Sequence, residues 1–296
     1  MKDVISIGAS SNVDLVKNCL NEELTFLKNK GIIVSMEERD YGTIKYIGCN
    51  VDGETANSST VFRYYIAKAL TEFIANELPL SVIPRLIRHN YAHFSEAERD
   101  EIIARAVHLF KADMSQGNLY KTVQRKNQIA TSLLEYLNLN NELVLEGFLR
   151  FRLKEFCDEL NDYVDQAVDS FMIDREYEEF VALLRYFVEV QDPKMGEAHI
   201  VARENGLFRI LDRNQQVVKN EYLEGFVVEL VQNQIDYEDL LLSALITLSP
   251  VKIVLHLDPQ AKISTTVLKV FTDRAQTCIQ GTECSLCNYR LKNEED

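Results

Sequence analysis

The chain contains very few residues that interrupt a helix. Of its 296 residues, 11 are glycine and 5 are proline, the two residue types that a helix interior tolerates least. Apolar side chains also recur at helical spacing through most of residues 58–192. Because this spacing places them on one face of a helix, we expect long helices to fill the middle of the chain.

The predicted helices of this middle part have identifiable ends. The first covers residues 60–77 and is expected to stop before Pro79, because a residue that precedes proline is pushed out of helical geometry. A second helix begins after Pro84, and Ser95 with Glu98 forms a capping box that opens a third. The remaining predicted helices are residues 119–139, 142–170 and 175–191.

The two flanking parts of the chain combine short strands with helices. Residues 1–57 predict strand, helix, strand and strand, with Gly31 ending the helix. The elements predicted after residue 196 are a β-hairpin (198–202 with 207–211), two helices (222–233 and Tyr237–Leu248) and a buried strand (251–257). The sequence therefore predicts a predominantly helical α+β fold: a small N-terminal α/β region (1–57), a central helical domain (58–195) and a C-terminal mixed region with a β-hairpin and a cysteine-bearing tail (196–296).

The net charge of the chain limits its partners. It is −14 at pH 7, so the field of the whole molecule repels phosphate backbones, and we expect no nucleic acid partner. The N-terminus lacks the pattern of a signal peptide, and the most apolar stretch, residues 240–257, is interrupted by Pro250. We therefore expect a cytoplasmic protein without membrane insertion, whose six cysteines are thiols or metal ligands rather than a disulfide framework.

Three cysteines near the C-terminus are the most chemically distinctive feature of the sequence. Cys284 and Cys287 have the C-x2-C spacing that directs two thiolates at one ion, and Cys278 precedes them. With His256 as a fourth ligand, these residues would bind zinc or an iron–sulfur centre. A redox-active thiol pair and chemically inert thiols are the two alternatives. We expect no cofactor unless the first interpretation holds, in which case it is zinc or an iron–sulfur centre. All three interpretations stay open.

A group of basic residues lies in the second predicted helix. Arg85, Arg88 and His89 share one face of it, and His93 follows His89 at the spacing of one helical turn. Helical zinc hydrolases carry a glutamate directly after the first histidine, whereas this chain has Asn90 there. The group is either a solvated basic face or a contact site for an anionic partner.

Arg185 interrupts a segment, residues 180–188, that is apolar on nearly all sides and is therefore expected to be buried. A buried guanidinium requires an ionic partner, and Glu189, one turn later, is the first candidate. An internal salt bridge is the structural interpretation of this residue. The functional interpretation is an anion-binding pocket.

One predicted helix carries an acidic stripe made of Asp158, Asp162, Asp165 and Asp169. A single helix rarely converges enough ligands on a divalent cation. The opposite face carries the apolar residues Phe156, Leu160, Val164, Ala167 and Phe171. The stripe is therefore interpreted as the solvated side of an amphipathic helix.

Several segments of the chain together resemble one known family. They are residues 178–188 continuing through Gln191 and Pro193, residues 237–243, the predicted strand that ends at His256, the terminal Cys284-Ser285-Leu286-Cys287, and the basic and aromatic residues 88–94. These segments are similar to those of the YtxC family of sporulation proteins from spore-forming Gram-positive bacteria (Firmicutes). The resemblance implies a cytoplasmic protein connected with endospore formation, of undefined biochemical activity and without an assigned catalytic residue.

Two functional hypotheses follow for this chain. It contains neither a phosphate-binding G-x4-G-K-S loop nor a G-x-S-x-G nucleophile turn. The first hypothesis is therefore a non-enzymatic sporulation protein that acts by contacting another protein through its helical middle region. The alternative is a metal- or thiol-dependent protein that uses Cys278, Cys284 and Cys287.

Overall fold

The computed structural model of the chain describes residues 2–52, 56–115, 119–202, 208–218, 237–279 and 284–287. Within these residues the fold is α+β and predominantly helical, as the sequence predicts. The chain divides into two compact units, Met1–Met172 and Ile173–Asp296, and each unit contains its own hydrophobic core. The finer division into three regions stays a prediction.

The first unit is built on a four-stranded sheet. Its strands are β1 (Lys2–Ala9), β2 (Ile33–Asp40), β3 (Lys45–Asp52) and β4 (Glu142–Val144), in the order β2-β3-β1-β4. The pairs β2–β3 and β1–β3 are antiparallel, whereas β4 lies parallel to β1. The strand, helix, strand, strand order predicted for residues 1–57 is confirmed, and the fourth strand comes from a later part of the chain.

Helix α1 (Val13–Asn29) covers this sheet with one apolar face. The residues that it buries recur every three or four positions: Val16, Leu20, Leu24 and Leu27. The helix ends before Gly31, whose φ of +82° lies in the left-handed region that glycine adopts without steric cost. The predicted role of Gly31 is confirmed.

The helices that follow differ from the prediction around Pro84. They are α2 (Ala56–Glu72), a π-helical turn (Phe73–Glu77), α3 (Leu78–Asn90), α4 (Glu96–Ser115) and α5 (Leu119–Leu139). The predicted end of the first helix at residue 77 coincides with the end of the π-helical turn, and Pro79 lies in the first turn of α3, where its missing N–H has no helical partner to lose. Pro84 lies inside α3 rather than before it.

The predicted capping box at the start of α4 is confirmed. The backbone N–H of Ser95 donates to Glu98 Oε2 over 2.7 Å, and the backbone N–H of Glu98 donates to Ser95 Oγ over 3.3 Å. This reciprocal pair satisfies two backbone donors that the first turn of a helix leaves free.

The predicted helices 142–170 and 175–191 are wrong in their boundaries. Residues 142–144 form strand β4 instead, and two helices follow it, α6 (Leu145–Arg152) and α7 (Lys154–Val190). Strand β4 forms because its backbone pairs with the open edge of β1 at Ser6, Ile7 and Gly8. No proline or glycine lies between residues 171 and 174, so α7 continues through the expected gap.

The acidic stripe lies on the solvent side of α7. Asp158, Asp162, Asp165 and Asp169 are exposed. The opposite face packs into the core of the first unit through Phe156, Leu160, Val164, Ala167 and Phe171. Both faces agree with an amphipathic helix whose carboxylates are solvated.

The second unit contains another four-stranded sheet. Its strands are β5 (Met195–Ala202), β6 (Phe208–Leu211), β7 (Pro250–His256) and β8 (Ala275–Thr277), in the order β6-β5-β7-β8. The antiparallel pairing of β5 with β6 confirms the strands of the predicted hairpin, and β7 confirms the predicted strand 251–257 within one residue. Strand β7 is parallel to both β5 and β8.

Two helices, α8 (Tyr237–Leu248) and α9 (Lys262–Val270), share a core with this sheet. The limits of α8 agree with the prediction. The predicted helix 222–233 and the hairpin turn lie outside the described residues. Among the described helices, none combines the length and apolar character that crossing a bilayer requires.

Candidate metal centre

The two faces of the second sheet carry different side chains. Ala198 and Ile200 on β5, with Ile253 and Leu255 on β7, belong to the core that includes α8 and α9. Because side chains alternate along a strand, the residues between them point to the opposite face. His256 lies on that face, opposite Val201 in the parallel register of β5 and β7.

The cysteine-bearing tail covers part of this second face. Cys284 and Leu286 are buried against Val201 and Leu211 in a small hydrophobic cluster. Cys278 and Cys287 pack at its border. Residues 284–287 therefore lie on the face of the sheet opposite α8 and α9.

Strand pairing brings Cys278 beside His256. Cys278 follows directly after β8, and its backbone N–H donates to the carbonyl oxygen of Leu255 over 2.9 Å. Leu255 directly precedes His256 on β7. The pairing of the strands therefore fixes the distance between Cys278 and His256. Residues 284–287 then form a turn that presents Cys284 and Cys287 to the same point.

The ligand atoms of His256, Cys278, Cys284 and Cys287 all lie within 4.8 Å of one another. His256 Nδ1 is 3.3 Å from Cys287 Sγ and 3.5 Å from Cys284 Sγ. Around one zinc ion, with Zn–S of about 2.3 Å and Zn–N of about 2.0 Å, tetrahedral geometry separates ligand atoms by roughly 3.5–3.8 Å. The spacing of these side chains is therefore compatible with a single tetrahedral ion.

Burial and mutual contact shift the pKa values at this cluster. Burial and the nearby His199 lower the pKa of His256, which favours the neutral imidazole that binds metals. Burial alone would raise the pKa of Cys284, but the backbone N–H groups of Cys287 and Leu286 outweigh it and lower that pKa below its usual value. Burial, followed by contact with the other two thiols, raises the pKa of Cys287 to about 12. A divalent cation would relieve this conflict by stabilising the thiolates together.

The other three cysteines have no comparable environment. Burial raises the pKa of Cys19 and Cys157, and it raises the pKa of Cys49 to about 12. All three lie in the first unit, away from the C-terminal cluster in sequence. All six cysteines are free thiols in this structure. Within the described residues, the cysteines that lie close enough together to bind one metal ion are Cys278, Cys284 and Cys287.

One residue next to the cluster was not singled out from the sequence. His199 Nδ1 lies 3.0 Å from His256 Nε2, the ring nitrogen that faces away from the cysteines. His199 Nε2 lies 4.0 Å from Glu197 Oε1, and Lys252 Nζ donates to the same oxygen over 2.8 Å. In the sequence, His199 is only a histidine in a predicted strand. Its position next to His256 depends on the pairing of β5 with β7, which a local sequence pattern does not reveal.

The basic side chains of α3 are exposed, and each of them also contacts another residue of the first unit. Arg85 donates from Nε to the carbonyl oxygen of Ser81 over 3.2 Å, and Arg88 forms an exposed ion pair of 3.6 Å with Asp100. His89 Nδ1 lies 2.9 Å from Asn90 Oδ1. These contacts leave the side chains on the solvent side of the helix, and a role in binding an anionic partner stays a prediction.

His89 and His93 do not occupy successive turns of one helix. Helix α3 ends at Asn90, and the residues that follow form a turn in which the ring of His93 packs against Phe94 at 4.3 Å between centroids. The predicted one-turn spacing of the two imidazoles is therefore wrong. The helix stops early because the chain turns sharply before the capping box of α4.

The predicted burial of Arg185 is also wrong. The side chain is exposed and donates to the carbonyl oxygen of Lys269 over 2.7 Å. Within the described part of the chain, no ion pair joins Arg185 to Glu189. The segment buries one narrow face, through Val181 and Val188 with Leu184 half-buried beside them, and its other large apolar side chains are exposed.

The fold and this site together define a class of protein: an α+β chain whose second sheet carries a grouped set of three thiols and one imidazole. The family model of the YtxC-like family matches residues 64–276, so the chain belongs to the YtxC-like family. The matched residues include His199 and His256 and end just before Cys278.

Comparison with individual proteins gives the same family. The chain is 24% identical over 226 residues to "Uncharacterized protein YtxC" of Bacillus subtilis (strain 168), covering 75% of this chain and 79% of that protein. No solved structure matches the chain.

Proposed function

We propose that this protein binds one zinc ion through His256, Cys278, Cys284 and Cys287, and that the ion fixes the cysteine-bearing tail to the second sheet. The observation that carries the proposal is the position of the four ligand atoms, all within 4.8 Å of one another. These atoms come from two separate parts of the second unit, a strand and a tail. Such convergence is what a metal site requires and what one helix or one turn cannot supply.

The type and number of ligands favour zinc. Three thiolates and one imidazole form one of the common sets at tetrahedral zinc sites. In an iron–sulfur cluster, each protein ligand binds an iron of a multi-atom core, which spreads the ligands further apart than a single ion does. The compact grouping therefore favours one ion over a cluster. A single iron ion is distinguished from zinc by elemental analysis.

The proposed site is structural rather than catalytic. Four protein ligands complete the tetrahedral shell, so no position remains for a water molecule or a substrate. Among the described residues of the tail, Cys284 and Leu286 are buried against Val201 and Leu211 in a small cluster. A metal ion supplies the free energy that fixes such a short segment.

The direct test is the metal content of protein purified under anaerobic conditions. We expect about one equivalent of zinc per chain in the wild type and a large loss in Cys287→Ser. Cys157→Ser is the matched control, because Cys157 is a partly buried thiol outside the cluster, and it should retain the metal. A wild-type protein that holds less than about a tenth of an equivalent of zinc after zinc is supplied would refute the proposal. Equal loss in the two variants would also refute it.

We further propose that the protein acts in endospore formation by contacting another protein. The family resemblance supports the biological setting. The contact is supported by a row of exposed apolar side chains on α7, which includes Phe180, Leu183 and Tyr186 at 49%, 53% and 60% exposure. Apolar side chains grouped on a surface mark protein interaction sites.

This second proposal is tested in Bacillus subtilis. We expect deletion of the gene for the relative to lower the number of heat-resistant spores, and this chain to restore them. The Leu183→Glu variant should restore fewer spores, whereas Glu179→Gln on the same helix should act like the wild type. An unchanged spore count after the deletion would contradict the role in sporulation. Full rescue by Leu183→Glu would contradict the role of the α7 surface.

A further inference from the structure

The environment of His256 extends beyond the four proposed ligands. Its Nδ1 faces the sulfur atoms of Cys284 and Cys287, and its Nε2 faces His199 Nδ1 at 3.0 Å. We propose that His199 is the positioning residue of the metal site, which holds the ring of His256 in the one tautomer that can bind the ion. This inference rests on the proposed zinc site.

A metal bound at His256 Nδ1 would fix the proton positions on both rings. A neutral imidazole binds a metal through the nitrogen that carries no proton. Because His256 Nδ1 faces the thiols, the proton of His256 must be on Nε2, which donates to His199 Nδ1. His199 then accepts at Nδ1 and carries its own proton on Nε2, toward Glu197 Oε1 at 4.0 Å.

The sheet itself places these residues in line. Glu197 and His199 are two residues apart on β5 and therefore share a face with His256 of the neighbouring parallel strand β7. Lys252, opposite Glu197 in the register, donates to Glu197 Oε1 over 2.8 Å. Lys252 therefore holds the carboxylate of Glu197 next to His199. The four side chains Lys252, Glu197, His199 and His256 form one row along this face of the sheet.

This arrangement has the form found around metal-binding histidines in general. The second ring nitrogen of such a histidine donates to a fixed acceptor, which sets the tautomer and the ring orientation. Removal of that acceptor weakens metal binding by about 10- to 100-fold. A histidine that accepts at Nδ1 can perform this role, and the charge of Glu197, 4.0 Å from His199 Nε2, favours the proton on that nitrogen.

The test compares variants of the full-length protein. His199→Leu fills a similar volume without an acceptor, whereas His199→Asn places an oxygen close to the position of Nδ1. His89→Leu is the matched control, since His89 is exposed on α3 of the first unit. The dissociation constant for zinc is measured by competition with a chromophoric chelator, and the charge-transfer spectrum of the cobalt(II)-loaded protein is recorded in parallel.

We expect zinc binding to weaken about 10- to 100-fold in His199→Leu, with an altered cobalt spectrum. His199→Asn should recover most of the affinity, and His89→Leu should leave affinity and spectrum unchanged. Wild-type affinity and spectrum in His199→Leu would overturn the inference and leave the zinc site standing. Equal weakening in His199→Asn and His199→Leu would overturn it too, because packing rather than an acceptor would then be responsible. A wild type that binds no metal instead removes the proposed function itself.

A measurement on the wild type keeps the inference testable if His199→Leu does not fold. Nitrogen-15 correlation spectra of the zinc-loaded protein report which nitrogen of each imidazole carries the proton. We expect His256 to be protonated at Nε2 and His199 at Nε2, with the His256 proton protected from exchange. A His256 protonated at Nδ1, or an Nε2 proton that exchanges freely with water, would overturn the positioning role.

Discussion

Arg125 shows how a single charge is accommodated in the core of the first unit. Only 5% of its side chain is exposed, and its Nε and Nη2 atoms donate to the two carboxylate oxygens of Glu159 over 2.9 and 2.6 Å. Asp113 accepts from Nη2 over 3.1 Å, and Lys121 forms ion pairs with both carboxylates. The hydroxyl of Tyr163 donates to Asp113 over 2.5 Å. The network therefore balances two cations against two carboxylates.

Removing one carboxylate of this network should destabilise the first unit. Glu159→Gln leaves the buried guanidinium with Asp113 as its remaining anionic partner, and we expect a loss of about 3 kcal/mol in the free energy of unfolding. The matched control is Glu38→Gln, which breaks an exposed ion pair with Lys17 and should leave the free energy of unfolding nearly unchanged, because solvent screens exposed charges. Urea unfolding measures both values. Equal losses in the two variants would contradict the account of the buried network.

The same network predicts how stability depends on pH. Burial alone would raise the pKa of Glu159, but the hydrogen bonds from Arg125 and Lys121 outweigh it and hold that pKa below its usual value. The contribution of Glu159 is therefore complete above its unfolded pKa of about 4.3 and is lost as the pH falls through the lower folded pKa. We expect the difference in urea midpoint between wild type and Glu159→Gln to be constant at neutral pH and to shrink below about pH 4. A difference that grows toward acid pH would contradict this sign.

The elements that the sequence predicted well are those set by local patterns. Helix α8, the capping box before α4 and the end of α1 at Gly31 all depend on residues close together in the chain. Strand β4 was missed because its partner, β1, lies more than 130 residues earlier, at Ser6 to Gly8. The long α7 was divided in error at residues 171–174, because this stretch contains no proline or glycine that would end a helix.

For the candidate site too, the sequence predicted the residues that share a local pattern and missed a residue placed by long-range strand pairing. The C-x2-C pair is a local pattern that identified Cys284 and Cys287 as candidate ligands. Cys278 was included because it lies close to them in the sequence. His256 was included as the fourth residue, and the structure places it within reach of the three thiols. His199 was missed because the parallel register of β5 with β7 is a long-range property of the sheet. The burial of Arg185 was wrong because its helix packs along one narrow face.

If the proposed zinc ion anchors the tail, its removal should release residues 284–287 and leave the sheet intact. Strands β5 and β7 contribute to a core with α8 and α9 that does not include the cysteines. After chelation, we expect faster amide hydrogen exchange at residues 284–287, with exchange in β5 and β7 little changed. Mass spectrometry with and without the chelator measures this, and Cys287→Ser should resemble the chelated wild type. Unchanged exchange in the tail would contradict the anchoring role of the ion.

The whole chain consists of two units that each enclose a separate hydrophobic core. The charged network around Arg125 belongs to the first unit, and the proposed zinc site belongs to the second. A ligand that binds only the folded state of one unit stabilises that unit by mass action, by about 4 kcal/mol at a thousandfold excess over its dissociation constant. The proposed metal and the charged network therefore belong to different units of the molecule.

This separation predicts opposite effects on the two units. Saturating zinc should raise the stability of the second unit and leave the first unchanged, whereas Glu159→Gln should lower the first alone. The chain contains no tryptophan, so hydrogen exchange at increasing urea concentration, resolved by peptide, is the suitable measurement. If zinc stabilised the first unit as much as the second, the proposed location of the site would be contradicted.

The most direct test of the zinc site is X-ray absorption spectroscopy at the zinc edge of the loaded protein. The proposed site predicts a four-coordinate shell with three sulfur atoms at about 2.3 Å and one nitrogen at about 2.0 Å. It also predicts that Cys287→Ser reduces the number of sulfur ligands, while Cys157→Ser leaves the shell unchanged. A shell made of oxygen and nitrogen, with one sulfur or none, would contradict the proposed site.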